Sequence, residues 1–186
     1  MTATATGFTT LTGTYTIDTA HSRVGFVARH AMVTKVRGAF NDFEGTATID
    51  GDNPENSSVS VTLQVASVDT RNEQRDGHLR TNDFLDVENY PTISFTSTGI
   101  GYEGGNDFVV TGELTIKGVT KSVAFPLEFQ GAVKDPFGND RIGLDGSVVI
   151  NRKDWGVNWN AALETGGVLV SEKVTLEFEI SAIKTA

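Results

Sequence analysis

Apolar residues recur at every second position through most of this chain, and that period permits little except β-strand. Val59, Val61, Leu63 and Val65 alternate with polar residues, as do Val123, Phe125, Leu127 and Phe129. The pattern returns in Leu144, Gly146, Val148 and Ile150, and again in Val174, Leu176, Phe178 and Ile180. Near the start, Tyr15 and Ile17 open a strand that ends in the turn-like cluster from Asp18 to Ser22. Val24, Phe26, Ala28 and His30 then share one face, which puts His30 in register with apolar neighbours. Phe43, Gly45, Ala47 and Ile49 form another such face.

Turn chemistry separates these segments, in Gly51 to Asn56, Glu103 to Asn106 and Asp135 to Asn139. The sum is about eight strands, mostly antiparallel, at the spacing of a barrel or sandwich. Closure removes exposed edges and leaves room for one apolar ligand. The expected fold is therefore all-β: an eight-stranded antiparallel barrel. At 186 residues the chain suits a single domain, taken as residues 14–186 after a flexible tail over 1–13 rich in Thr, Ala and Gly.

One segment breaks the alternation. Between Thr70 and Pro91 the chain is densely polar, with Arg71, Arg75, His78 and Arg80, and with Leu79, Phe84, Leu85 and Val87 as its bulky apolar groups. A specific, charged insertion between strands is where such a fold keeps a lid, a plug or a site. A short helical segment is expected near residues 72–87. Its first part runs from Asn72 to Arg80, where Gly77 costs about 1 kcal/mol relative to Ala. A second helical turn is expected over Thr81 to Val87, capped by Thr81 or Asn82.

Charge narrows the function. A net charge of −9 opposes nucleic-acid binding, which needs a basic surface, and opposes broad adhesion to anionic membranes. Within this acidic protein, Thr19 to Asn41 holds no acidic residue but carries Arg23, Arg29, Lys35 and Arg37. The chain has no cysteine, so disulfides, thiolate metal ligands and a cysteine nucleophile are excluded. No basic, apolar leader opens the sequence, and no run approaches the roughly 18 apolar residues of a spanning helix; a soluble, cytoplasmic protein is expected. The three histidines show no His-Glu-x-x-His spacing and no Gly-x-Ser-x-Gly elbow is present, so neither a metal site nor a hydrolase is indicated.

Several ordered motifs now point further. Tyr15-Thr-Ile-Asp18, His21-Ser22, Phe26-Val-Ala-Arg-His30, Gly38-Ala-Phe40 and Arg75-Asp-Gly-His-Leu-Arg80 occur in sequence, followed by Asp83-Phe84 and Pro91-Thr-Ile-Ser-Phe95. Gly112-Glu-Leu-Thr-Ile-Lys-Gly118 and Arg152-Lys-Asp-Trp-Gly156 complete the set. In this order they resemble the YceI-like family, from about Thr14 to Ile180. Tyr15 stands where the family often has Trp, and the periplasmic leader of many members has no counterpart here. The resemblance implies a lipocalin-like barrel around a long apolar cavity. It implies binding of a polyisoprenoid or quinone-type lipid, without catalysis and without a cofactor.

On that reading Phe26, Phe40, Phe43, Leu63, Leu79, Phe84, Phe95, Leu114, Phe125 and Leu127 are expected to line the cavity. The alternative is that these side chains simply fill the barrel. Arg75, His78 and His30 are candidates to meet a polar head group, since an arginine fork suits phosphate. Arg75 and Arg80 have a structural alternative, fastening the central segment to the barrel. Trp155 is expected to close a barrel end, Trp159 to lie in a mobile loop, and the surface around both to offer a homodimer contact. Two other functions stay open at this point: a small-molecule enzyme in the same cavity, and a solid-cored interaction domain.

Overall fold

In the computed structural model, which describes residues 7–186, the alternating segments become eleven strands of one sheet. In chain order these are β1 (Gly13–Ile17), β2 (Arg23–His30), β3 (Thr34–Phe40), β4 (Phe43–Ile49), β5 (Ser58–Gln64) and β6 (Val68–Asp69), then β7 (Thr92–Gly104), β8 (Asp107–Ile116), β9 (Val119–Lys134), β10 (Asp140–Asn151) and β11 (Lys173–Lys184). Three pairs are halves of one bent stave. β1 and β2 flank the short turn Thr19–His21, β3 and β4 flank Asn41 and Asp42, and β5 and β6 flank Val65–Ser67. Eight staves result, each antiparallel to its neighbours.

The last strand pairs with β10 and also returns to the start of the chain. Tyr15 lies opposite Lys184, and Val24 opposite Phe178. The sheet is closed, as expected of a barrel that removes its edges. Inward positions make one main apolar cluster, with a smaller one around Tyr15, Ile142 and Ala182 towards the end where Thr14 meets Ala186.

Two glycines shape the inner wall. The ring of Phe26 lies over Gly38, its register partner, and the ring of Phe95 lies over Gly112. A Cβ at Gly112 would sit 2.5 Å from the Phe95 ring, so any side chain there would push the ring inward.

The central segment begins as predicted, with α1 (Glu73–Arg80) capped by the Asn72 side chain, which accepts from the Arg75 N–H at 3.0 Å. The expected second helical turn does not form. Thr81 leaves helical geometry, and its hydroxyl instead donates back to the His78 carbonyl at 2.7 Å. Residues 81–87 then close as hydrogen-bonded turns, with Phe84 and Asp86 N–H both donating to the Thr81 carbonyl.

Residues 1–6 of the expected tail lie outside the described residues. From Phe8 onward the chain is packed: the Phe8 ring lies 5.5 Å from those of Phe108 and Phe129, and Thr14 N–H donates to the Ala186 carbonyl at 2.8 Å.

Candidate functional site

The staves leave an apolar chamber of about 270 Å³ inside the barrel. Nine of the predicted residues line it: Phe26, Phe40, Leu63, Leu79, Phe84, Phe95, Leu114, Phe125 and Leu127. The tenth, Phe43, does not reach the chamber. It begins β4 just after the bend at Asn41 and Asp42, pairs in register with Leu63 and is buried within the wall's own packing. The Phe125 ring meets Phe95 at a tilt and Phe178 edge to face, so aromatics fill part of the interior, yet a space remains beside them.

A wider vestibule of about 640 Å³ adjoins the chamber. Phe26, Ala28, Leu79, Phe84 and Val170 line both spaces and mark where the two meet. His30, Arg75 and His78 stand on the vestibule wall and not in the chamber. The register of β2 explains His30: it continues the inward face past Phe26 and Ala28, but as the strand's last residue it emerges at the lip.

Arg75 is held by its neighbours. Its Nε donates to the Thr70 hydroxyl at 2.7 Å and its Nη2 to the Thr70 carbonyl at 2.7 Å, while the buried Asp76 carboxylate accepts from the Thr70 N–H at 2.8 Å. Nη1 has no protein acceptor among the described residues, and Arg75 lines the vestibule. Arg80 does fasten α1 to the barrel, through the Ala66 and Val68 carbonyls at 3.1 and 3.3 Å. His78 is fixed by Asp83, 2.8 Å from its Nε2.

Two residues escaped the sequence reading. Trp159 is half-buried, with its ring 4.7 Å from that of His78 and 5.3 Å from that of Phe84. It therefore helps roof the vestibule. No local pattern announces this, because the contact joins residues about eighty positions apart. Arg152 is the other: it lines the chamber at 6 % exposure. Its guanidinium donates to the carbonyls of Ser171 (2.8 Å), Val157 (2.7 Å) and Val170 (3.3 Å). Burial pushes its pKa below the usual arginine range, partly offset by the charge of Glu172. Trp155, 3 % exposed, closes the chamber wall, its indole N–H donating to the Leu114 carbonyl at 2.9 Å. Trp155 is thus spent on the fold and offers no surface to a second copy.

No helix among the described residues is long and apolar enough to cross a membrane. The chamber lining contains no imidazole and no carboxylate; Ser94 and Arg152 are its polar members.

Known proteins share this architecture. A UPF0312 protein of Staphylococcus aureus (SAS2572) is 37 % identical over 171 residues, covering 90 % of this chain and 95 % of its own length. Another from Photorhabdus laumondii (plu2095) is 42 % identical over 147 residues, covering 78 % and 76 %. Among solved structures, BcnA of Burkholderia cenocepacia superposes with a TM-score of 0.79 at 28 % identity, covering 89 % of this chain and 98 % of BcnA. A polyisoprenoid-binding domain from Saccharophagus degradans shares the fold with a TM-score of 0.68 at 17 % identity, covering 92 % and 98 %. The YceI-like domain matches residues 15–182. The chain belongs to the YceI-like family.

Proposed function

We propose that this protein binds one polyisoprenoid or quinone-type lipid, tail in the chamber and head in the vestibule, as a carrier or sequestering protein. One observation carries the reading: an apolar chamber and a vestibule edged by polar groups meet at five shared apolar residues, which on this reading form the neck that a tail passes through. Each methylene-sized group taken from water into such a space contributes about 0.8 kcal/mol, so a few five-carbon units suffice for tight binding in a preformed cavity. Family membership supports a lipid-binding barrel. The polar edge suits a head group, with Arg75 Nη1 aimed for an anion or carbonyl and His30 and His78 beside it.

Binding is favoured over catalysis because a reaction in the chamber would need a base beside a nucleophile. Its lining supplies no imidazole and no carboxylate. Native mass spectrometry of the purified protein, with organic extraction and exposure to added prenyl lipids, tests the proposal. A prenyl lipid or quinone bound one per chain is expected. A chain that stays at its bare mass with prenyl lipids in excess would overturn it.

A further inference from the structure

A lipid tail too long to dissolve in water comes to the chamber from another apolar phase, and the vestibule lip carries the basic island left over from the sequence. The island's tip is the β2–β3 hairpin, where Ala31 and Met32 adopt left-handed φ of 50° and 71°. Met32 is 57 % exposed and Val33 76 %. The tip is braced against the vestibule wall: Ala31 N–H donates to the Leu169 carbonyl at 2.7 Å, and His30 bridges to Val170.

Arg29 and Lys35 face each other across this hairpin in register. Like charges placed directly opposite destabilise a strand pair. Neither has a carboxylate within ion-pair distance among the described residues, whereas Arg23 and Arg37 share Glu177 at 3.1 and 3.4 Å. Arg29 reaches only the Val33 carbonyl, at 3.5 Å. Of the two carboxylates on the adjoining 156–172 loop, Glu172 is paired with Lys153 at 2.8 Å, leaving Glu164. The other exposed apolar tip differs. Phe137, 89 % exposed, lies on the β9–β10 turn at the far end of the barrel, where Lys134 pairs with Asp140 and Arg141 with Asp135.

We propose that the β2–β3 tip docks the barrel mouth-first on an anionic lipid bilayer, with Met32 and Val33 entering the boundary between head groups and acyl chains and Arg29 and Lys35 meeting lipid phosphates. An apolar tip flanked by unneutralised cations is the combination that holds a protein at such an interface. The proposal rests on the lipid-binding reading for its purpose and not for its test. The vestibule would then open onto the bilayer from which its ligand comes.

Co-sedimentation with phosphatidylglycerol-containing and pure phosphatidylcholine vesicles decides it, using the wild type, Val33→Asp, Lys35→Glu and the control Phe137→Asp. Binding of a short prenyl alcohol in solution is measured beside it. The wild type is expected to bind the anionic vesicles and not the neutral ones. Val33→Asp and Lys35→Glu should each weaken this about fivefold or more, Phe137→Asp should match the wild type, and alcohol binding should be unchanged throughout. Lys35→Glu places a carboxylate opposite Arg29, so its Tm should hold or rise, separating lost docking from misfolding. Absent binding to anionic vesicles, or binding by both tip variants equal to that of the wild type, would overturn the proposal. A concentration-dependent dimer that Val33→Asp dissolves, without vesicle binding, would overturn it in favour of self-association. Failure of the wild type to bind the alcohol would count against the cavity reading alone, since the vesicle arms do not depend on it.

Discussion

Arg152 stands as a cation inside an apolar wall, and its three carbonyl partners come from residues on either side of the long loop before β11. Replacing it removes the donor from buried carbonyls that water cannot readily reach. Arg152→Met should therefore lower stability by about 2–4 kcal/mol in denaturant unfolding, and an effect below the error of the measurement would show that the loop closes without it. Arg75 poses a different question, since two of its nitrogens fasten α1 and one is free. Arg75→Ala should weaken a prenyl diphosphate about tenfold while leaving the alcohol of the same length nearly unchanged. Equal losses for both ligands would reduce Arg75 to a fastener. The sequence could nominate Arg75, because a charged segment between strands draws attention to its arginine. It could not nominate Arg152, which sits in an ordinary polar turn and is buried only because the loop after it folds back.

Among the elements, the staves were legible and their surroundings less so. Period-two alternation depends only on which face is wet, so Val59 to Val65 or Val123 to Phe129 declare themselves without help from the rest of the chain. α1 was legible in its extent from Asn72 to Arg80, but the turns after it were not, because Thr81 had two available roles and its bond to the His78 carbonyl chose the C-terminal one. The contacts of the 156–172 loop were hidden for a similar reason: its glycines say nothing of Trp159, whose ring meets those of His78 and Phe84. Its position makes it a reporter. Ligand with its head in the vestibule should change tryptophan emission, a change should survive Trp155→Phe, and Trp159→Phe should reduce it. A response that follows Trp155 alone would move the ligand away from the roof.

At the far end of the barrel Arg141 joins Asp18 at 2.6 Å and Asp135 at 3.0 Å. Hydrogen bonds from Arg141 and then His21 hold Asp18 below the usual carboxylate range. The Asn139 N–H leads the groups that bring Asp135 from 3.8 to about 2. A carboxylate depressed on folding adds stability above its unfolded pKa and loses it as pH falls through the folded one. Tm should therefore drop between about pH 4 and pH 2. Arg141→Leu should lower Tm above that window and make the drop shallower. A profile identical in slope to the wild type would remove the cluster from acid unfolding.

As a whole molecule, the barrel is a wall whose inside is incompletely filled, and the account stands or falls on that space. Sequence pattern could assign residues to the inside but not decide whether they meet in the middle. The same list of phenylalanines and leucines describes a solid core and a cavity equally well, and only packing distinguishes them. The neck offers the most direct intervention, because Ala28 lines both spaces and is small. The decisive measurement is a titration of prenyl alcohols of increasing length against the wild type and Ala28→Phe. For the wild type, affinity should climb about tenfold or more with each five-carbon unit until the chamber is full, then level off. Ala28→Phe should bind all of them at least about tenfold more weakly while unfolding as cooperatively as the wild type. Affinity that ignores chain length, or a blocked neck that binds as well as an open one, would contradict a lipid in the barrel.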